Sequence, residues 1–134
     1  MDAAKTSKAR ILKVMYAINV ACAGIPGFLI VFFPATAEAH LLWPEQDYAV
    51  MMILGSIWLA IGLSSFLGIY RPFQFIGIFA VQLIYKVIWL AIFFLPYLLS
   101  GEPILLAMKI IAVVFVLLVT EFALFLRPRD FSAP

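Results

Sequence analysis

Four runs of about 20 apolar residues, each long enough to cross the hydrocarbon of a bilayer at about 1.5 Å per residue, constrain this chain more than any other feature. They cover residues 11–33, 48–70, 73–95 and 104–126. Of the 134 residues 66% are hydrophobic and 12% charged, against roughly 45–50% and about 25% in soluble domains. A chain this short exposes too much of its surface to hide that apolar area from water, so a soluble fold is excluded. In lipid every backbone N–H and C=O needs a partner within its own helix or in a closed barrel. Continuous apolar runs lack the alternation of barrel strands. The expectation is therefore all-α: a four-transmembrane-helix antiparallel bundle forming one membrane domain over residues 1–134.

The connections carry the breakers such a fold needs. Pro34 and Pro44 bracket the first, Pro72 tightens the second, Pro96 and Pro103 enclose Ser100-Gly101 in the third, and Pro128 follows the last run. Lys5, Lys8, Arg10 and Lys13 precede the first run, and Ala37-Glu38-Ala39 resembles a signal-peptide cleavage site. The apolar stretch from Val14 to Phe33 has 20 residues, longer than the roughly 7–15 of a signal-peptide core, and is read as a span. Asn19-Val20-Ala21-Cys22 has Asn where a lipobox wants an aliphatic residue, so lipidation is not expected.

Orientation follows from the charges between the spans. Lys5, Lys8, Arg10, Lys13, Arg71, Arg127 and Arg129 collect on one side, and the other carries Glu38, Glu45, Asp47 and Glu102 with no Lys or Arg. The positive side is cytoplasmic, which puts both termini there. Net charge is +2 and dispersed, not the clustered basic footprint of a nucleic-acid binder. The single Cys22 excludes an intrachain disulfide and reads as a small packing residue.

Lys86 is the exceptional residue. It interrupts uncharged sequence from Pro72 to Gly101, roughly 15 to 20 Å from either end of its span, too deep to reach water easily. A Lys at that depth costs at least about 2.5–3.5 kcal/mol on insertion scales, so it should face the protein interior. Gln82, Lys86, Trp89 and Phe93 fall on one stripe at helical spacing, Gln82 and Lys86 forming its polar part. Glu121 in the fourth run leans toward Lys86, because side chains tilt toward their helix N-terminus and the two helices run oppositely. Their backbone depths differ by about 12 Å, so contact requires extended side chains or a bridge through water, Gln82 or Asn19. Lys109 leans toward the outer surface. Lys86, Gln82, Glu121, Asn19 and Trp89 are thus the candidate ligand-binding set, weighed evenly against a purely structural network. Metal binding is not expected, since Glu38, His40, Glu45 and Asp47 have no recognised ligand spacing and read as a hydrated acidic loop. Leu41, Leu42 and Trp43 suggest that this loop dips into the interface.

Small residues at Ser56, Ala60, Ser64 and Gly68, with Gly55 and Gly62 nearby, allow a close helix approach, as do Ala17 and Ala21, or Ala23 and Gly27, on the first run. Packing within the chain is the simpler reading and a subunit interface the alternative. The segment Leu54-Gly55-Ser56-Ile57-Trp58-Leu59-Ala60-Ile61-Gly62-Leu63, preceded by a loop opening with Pro34, resembles the DoxX-like group of small four-helix bacterial membrane proteins. The resemblance covers the topology and the first two runs. It implies an inner-membrane bundle, in some cases an accessory to a redox complex.

No nucleophile, haem-ligand pair or metal centre is visible, and no cofactor is expected. The expectation is a non-enzymatic inner-membrane protein in contact with membrane lipids, acting as a homo-oligomer or as an accessory subunit of a larger membrane complex. The alternatives are a small oligomeric transporter or channel, and a membrane-embedded enzyme or binder of an apolar ligand such as a lipid or quinone.

Overall fold

A computed structural model describes residues 3–40 and 47–126. Among these there is no strand, and four helical stretches are long and apolar enough to cross a membrane: Thr6–Phe32, Tyr48–Tyr70, Gly77–Leu99 and Leu106–Phe125. The chain is all-α, with the four membrane-length helices of a polytopic integral membrane protein.

The first stretch comprises α1 (Ala3–Asn19), a π-helical turn (Val20–Gly24) and α2 (Ile25–Phe32). It ends at Phe33, whose φ of −138° leaves the helical region, because the ring of Pro34 disfavours helical backbone in the residue before it. Pro34 then opens the short α3 (Pro34–His40), as a residue with no N–H can at a helix start. The uninterrupted α4 (Tyr48–Tyr70) follows, and Arg71 before Pro72 leaves the helix for the same reason as Phe33. Turns closed by Gln74 N–H to Arg71 O and Ile78 N–H to Phe75 O carry the chain into α5 (Gly77–Ile88). A second π turn (Trp89–Phe94) leads to α6 (Leu95–Leu99), and α7 (Leu106–Phe125) closes the fold.

Asp47 sets the start of α4: its Oδ1 accepts from Ala49 N at 2.9 Å and Val50 N at 3.3 Å, satisfying donors that a helix N-terminus leaves open. Asp47→Ala is expected to cost about 1 kcal/mol, read as a lowered thermal midpoint in detergent, and Asp47→Ser to recover most of it.

The third span differs from its sequence reading at both ends. It was expected over 73–95 and runs Gly77–Leu99, about one helical turn later. Residues 71–76 are spent in turns, and Pro96, expected to break the helix, is carried inside it. Ahead of that proline the hydrogen-bond ladder slips by one residue: Leu95 N–H reaches Leu90 O, five residues back. The same happens before Pro26, where Ile25 N–H reaches Val20 O. A proline supplies no N–H and its ring presses on the carbonyl four residues earlier. The wider π turn takes up that displacement while the helix continues.

The chain divides into two compact units, Met1–Ile78 and Phe79–Pro134. In the first, α1 and α2 cross α4 antiparallel, since rising positions on one meet falling positions on the other. Tyr16 meets Gly68, Asn19 meets Ser65, Gly24 meets Gly62 and Gly27 meets the backbone of Gly55, Trp58 and Leu59. The approach is backbone to backbone: a Cβ added at Gly27 would lie 2.3 Å from Leu59 N, and one at Gly62 would lie 2.2 Å from Gly24 Cα. Beyond the crossing, Ile30, Ala37 and Met51 form a buried cluster with Leu29 and Trp58 against it, which ties α3 down.

The small-residue stripe is used only in part. Ser56 and Ala60 are exposed, as are Ala17 and Ala21, whereas Ala23, Gly24, Gly27, Gly55, Gly62, Ser65 and Gly68 are buried. Steps of four residues precess by about 40° around a helix, so a stripe from 56 to 68 drifts off any one face, while steps of seven from Gly55 to Gly62 nearly keep it.

In the second unit α5 with its π turn packs antiparallel on α7 through rings. Phe79 meets Phe122 with centroids 5.1 Å apart, and Phe115 meets both Tyr85 at 5.7 Å and Trp89 at 5.3 Å. Such tilted and edge-on pairs contribute about 0.5–1.5 kcal/mol each beyond the area they bury.

Candidate functional site

Lys86 lies between these levels of aromatic contact. It is 1% exposed, and Gln82, one turn earlier on the same face of α5, is 0% exposed. The ammonium donates to Gln82 Oε1 and sits 4.6 Å from the centre of the Tyr85 ring, 5.4 Å from that of Phe115 and 5.6 Å from that of Phe122. Ring faces carry negative quadrupole potential, so an ammonium among them keeps part of the stabilisation it loses on leaving water.

The hydrogen bond fixes the amide. An ammonium can only donate, so the oxygen of Gln82 must face Lys86 and Nε2 must face away. Nε2 is buried and has no hydrogen-bond partner. A buried amide N–H left unpaired costs about 1–3 kcal/mol, more in surroundings that cannot hydrogen-bond at all. The pair therefore presents an unused donor beside a cation, within an aromatic wall.

Trp89 borders the site from the first residue of the π turn, half-buried and edge-on to Phe115. The expected stripe reaches Phe93, whose ring centroid lies 5.5 Å from that of Trp89 at 43° between planes. A π turn has more residues than an α turn, so the residue five on, Phe94, also comes back under Trp89. Phe94 stacks on Trp89 at 5.5 Å and 17° between planes, and Phe93 is 50% exposed and turned toward Tyr97.

Glu121 is not brought into a pair with Lys86. It is half-buried on α7, next to Phe122, and makes no hydrogen bond or ion pair among the described residues. It lies four residues from the end of α7, about 6 Å along the axis.

Asn19 belongs to the first unit, where it is 0% exposed and its Nδ2 donates to Ser65 Oγ at 3.3 Å across the α1–α4 crossing. Its Oδ1 is buried without a partner. One turn away the buried Tyr16 donates its hydroxyl to Pro72 O at 2.8 Å, over Gly68, and so satisfies a carbonyl in the turn that follows α4. Of the acidic loop, Glu38 is exposed on α3 and Asp47 caps α4. Glu45 and the apolar Leu41, Leu42 and Trp43 lie outside the described residues.

Sequence reasoning had not singled out Tyr16, Ser65, Tyr85, Phe115 or Phe122. Phe115 and Phe122, seven apart on one face, carry a signal, but it is drowned in a helix that is apolar all round. No protein-family model matches the chain, and neither a curated protein nor a solved structure matches it.

Proposed function

We propose that this is a non-enzymatic polytopic protein of a bacterial inner membrane, with both termini cytoplasmic, that binds a membrane-resident molecule at Lys86 and Gln82. It acts as a homo-oligomer or as an accessory subunit of a larger membrane complex. The orientation rests on the uneven distribution of Lys and Arg between the spans. The placement beside other subunits rests on the resemblance to the DoxX-like group and on the small size of the chain.

The observation that carries the binding reading is the unpartnered Gln82 Nε2 beside the buried Lys86 ammonium. Ionisable groups inside a membrane are expensive and concentrate where a ligand, ion or proton is handled. An ammonium needed only for structure would leave no reason for a second, unsatisfied donor next to it. Aromatic walls with a few convergent polar groups are the ordinary make-up of a small-molecule site.

The test is native mass spectrometry of wild type and Lys86→Met released from nanodiscs, recording subunit number and bound small molecules. A defined bound molecule in wild type that is missing from the variant is expected. The same bound population in both proteins would reduce Lys86 to a structural charge and overturn the reading.

A further inference from the structure

We infer that copies of this chain associate in the membrane through a hydrogen bond from the Ser56 hydroxyl of one copy to the Ala91 carbonyl of another. This deepens the homo-oligomer arm of the reading above, on which it rests, and is independent of the Lys86 site.

The acceptor is made by the second π turn. Leu95 N–H, which would serve Ala91 O in an α-helix, reaches Leu90 O instead. The N–H that would serve Ala91 O if the π pattern continued is missing, because residue 96 is proline. Ala91 O therefore has no backbone donor in its own helix. A helix carbonyl points along the axis toward the residue four positions on, so this one lies between Ala91 and Leu95, and both are exposed. Lipid tails offer it no donor, and groups freed by a membrane proline are taken up by neighbouring helices or side chains.

The donor stands on α4. Ser56 is exposed, and its hydroxyl makes no hydrogen bond among the described residues. Thr120 shows the ordinary alternative, returning its hydroxyl to Val116 O at 2.8 Å, one turn back on its own helix. Ala60, one turn beyond Ser56, is also exposed. Short side chains there and at Ala91 let a second backbone come within reach of a serine hydroxyl.

Depth matches the two. Ser56 is eight residues from Tyr48 and Ala91 is eight from Leu99, about 12 Å along the axis in each case. Successive spans alternate in direction, so those two helix ends lie on the same side of the membrane. Pro26 frees Ala21 O by the same slip, since Ile25 N–H reaches Val20 O. Its level is different: Asn19 meets Ser65 and Gly24 meets Gly62, which places Ala21 at least six residues, about 9 Å, from Ser56 along α4.

The occupant these surfaces fit is a second copy. One chain carries both an unused donor and an unused acceptor, at one depth and on exposed faces, so each copy supplies what another lacks.

The test mixes two tagged forms of the full chain in liposomes of phosphatidylethanolamine and phosphatidylglycerol, both carrying Cys22→Ala, one with Ser56→Cys and the other with Ala91→Cys. Oxidation is expected to join the two tags, well above the yield from Ser56→Cys mixed with Ala21→Cys. Energy transfer between dye-labelled chains, followed as lipid is diluted, should show association about threefold to tenfold weaker in Ser56→Ala, the range of one interhelical hydrogen bond. Pro96→Ala, which returns an N–H to the helix, should weaken it in the same way. Association without the 56–91 cross-link, or unchanged by both Ser56→Ala and Pro96→Ala, overturns this interface and leaves the homo-oligomer reading standing. Chains that stay monomeric at every dilution overturn both.

Discussion

Gly27→Leu is expected to prevent the first two membrane-length helices from crossing, at a cost of about 3 kcal/mol or more. The three nearest atoms to a Cβ at this position all belong to backbone: Leu59 N at 2.3 Å, Trp58 C at 2.7 Å and Gly55 O at 2.9 Å. Backbone in the middle of α4 cannot rotate aside as a side chain would, so the helices must part. Parting them breaks the Asn19–Ser65 hydrogen bond and lifts Tyr16 from Gly68. Thermal unfolding in mild detergent reads this as a large drop in midpoint. Gly62→Ala should behave alike in direction, because its Cβ would meet Gly24 Cα at 2.2 Å. Gly77→Ala is the control: nothing lies within 4 Å of a Cβ there, and the change should stay within about 0.5 kcal/mol of wild type. A Gly27→Leu protein that unfolds with wild type would refute the crossing geometry.

Lys86→Leu is expected to improve membrane insertion of the third helix by about 3 kcal/mol, the difference between Lys and Leu near a helix centre on insertion scales. The folded protein gives part of that gain back, because the surrounding rings accept an apolar side chain but buried Gln82 Oε1 loses its donor. The residue thus opposes assembly into the membrane while occupying a fully buried place on its helix. Glycosylation mapping of residues 77–99 within a host membrane protein measures the insertion term. An insertion free energy unchanged by the substitution would mean that Lys86 lies near the interface rather than deep in the span.

These two expectations draw on different levels of information. The depth of Lys86 is a matter of counting uncharged residues on either side of it, and its burial with Gln82 follows from their spacing of four on a helix that must hide its polar groups. The depth of Gly27 can be counted too, but nothing local distinguishes it from the exposed Ala17 and Ala21 on the same helix. The face a helix presents depends on the phase of its partner, and glycine and alanine are equally at home in lipid and in a crossing. The fate of Pro96 was hidden for a related reason. Proline reads locally as a helix break, and the π turn that let the helix continue exists only where the ladder as a whole gains by slipping one residue. That slip also put Phe94 beneath Trp89 beside Phe93.

The site shows the same division. Lys86 and Gln82 were legible because charge and amide stand out against hydrocarbon. Tyr85, Phe115 and Phe122 were not, being three aromatics among many. Glu121, beside Phe122 on α7, makes no hydrogen bond or ion pair among the described residues.

Hydropathy is additive along the chain, so the sequence by itself determined that this protein is all-α, spans a membrane with four helices and buries Lys86 with Gln82. Contacts are not additive. Only the tertiary structure decided which glycines touch, where each helix slips at its proline, and that Gln82 Nε2 is left as an unused donor beside the Lys86 ammonium. Each of these depends on the rotational phase and level of one helix against another, which no single helix encodes.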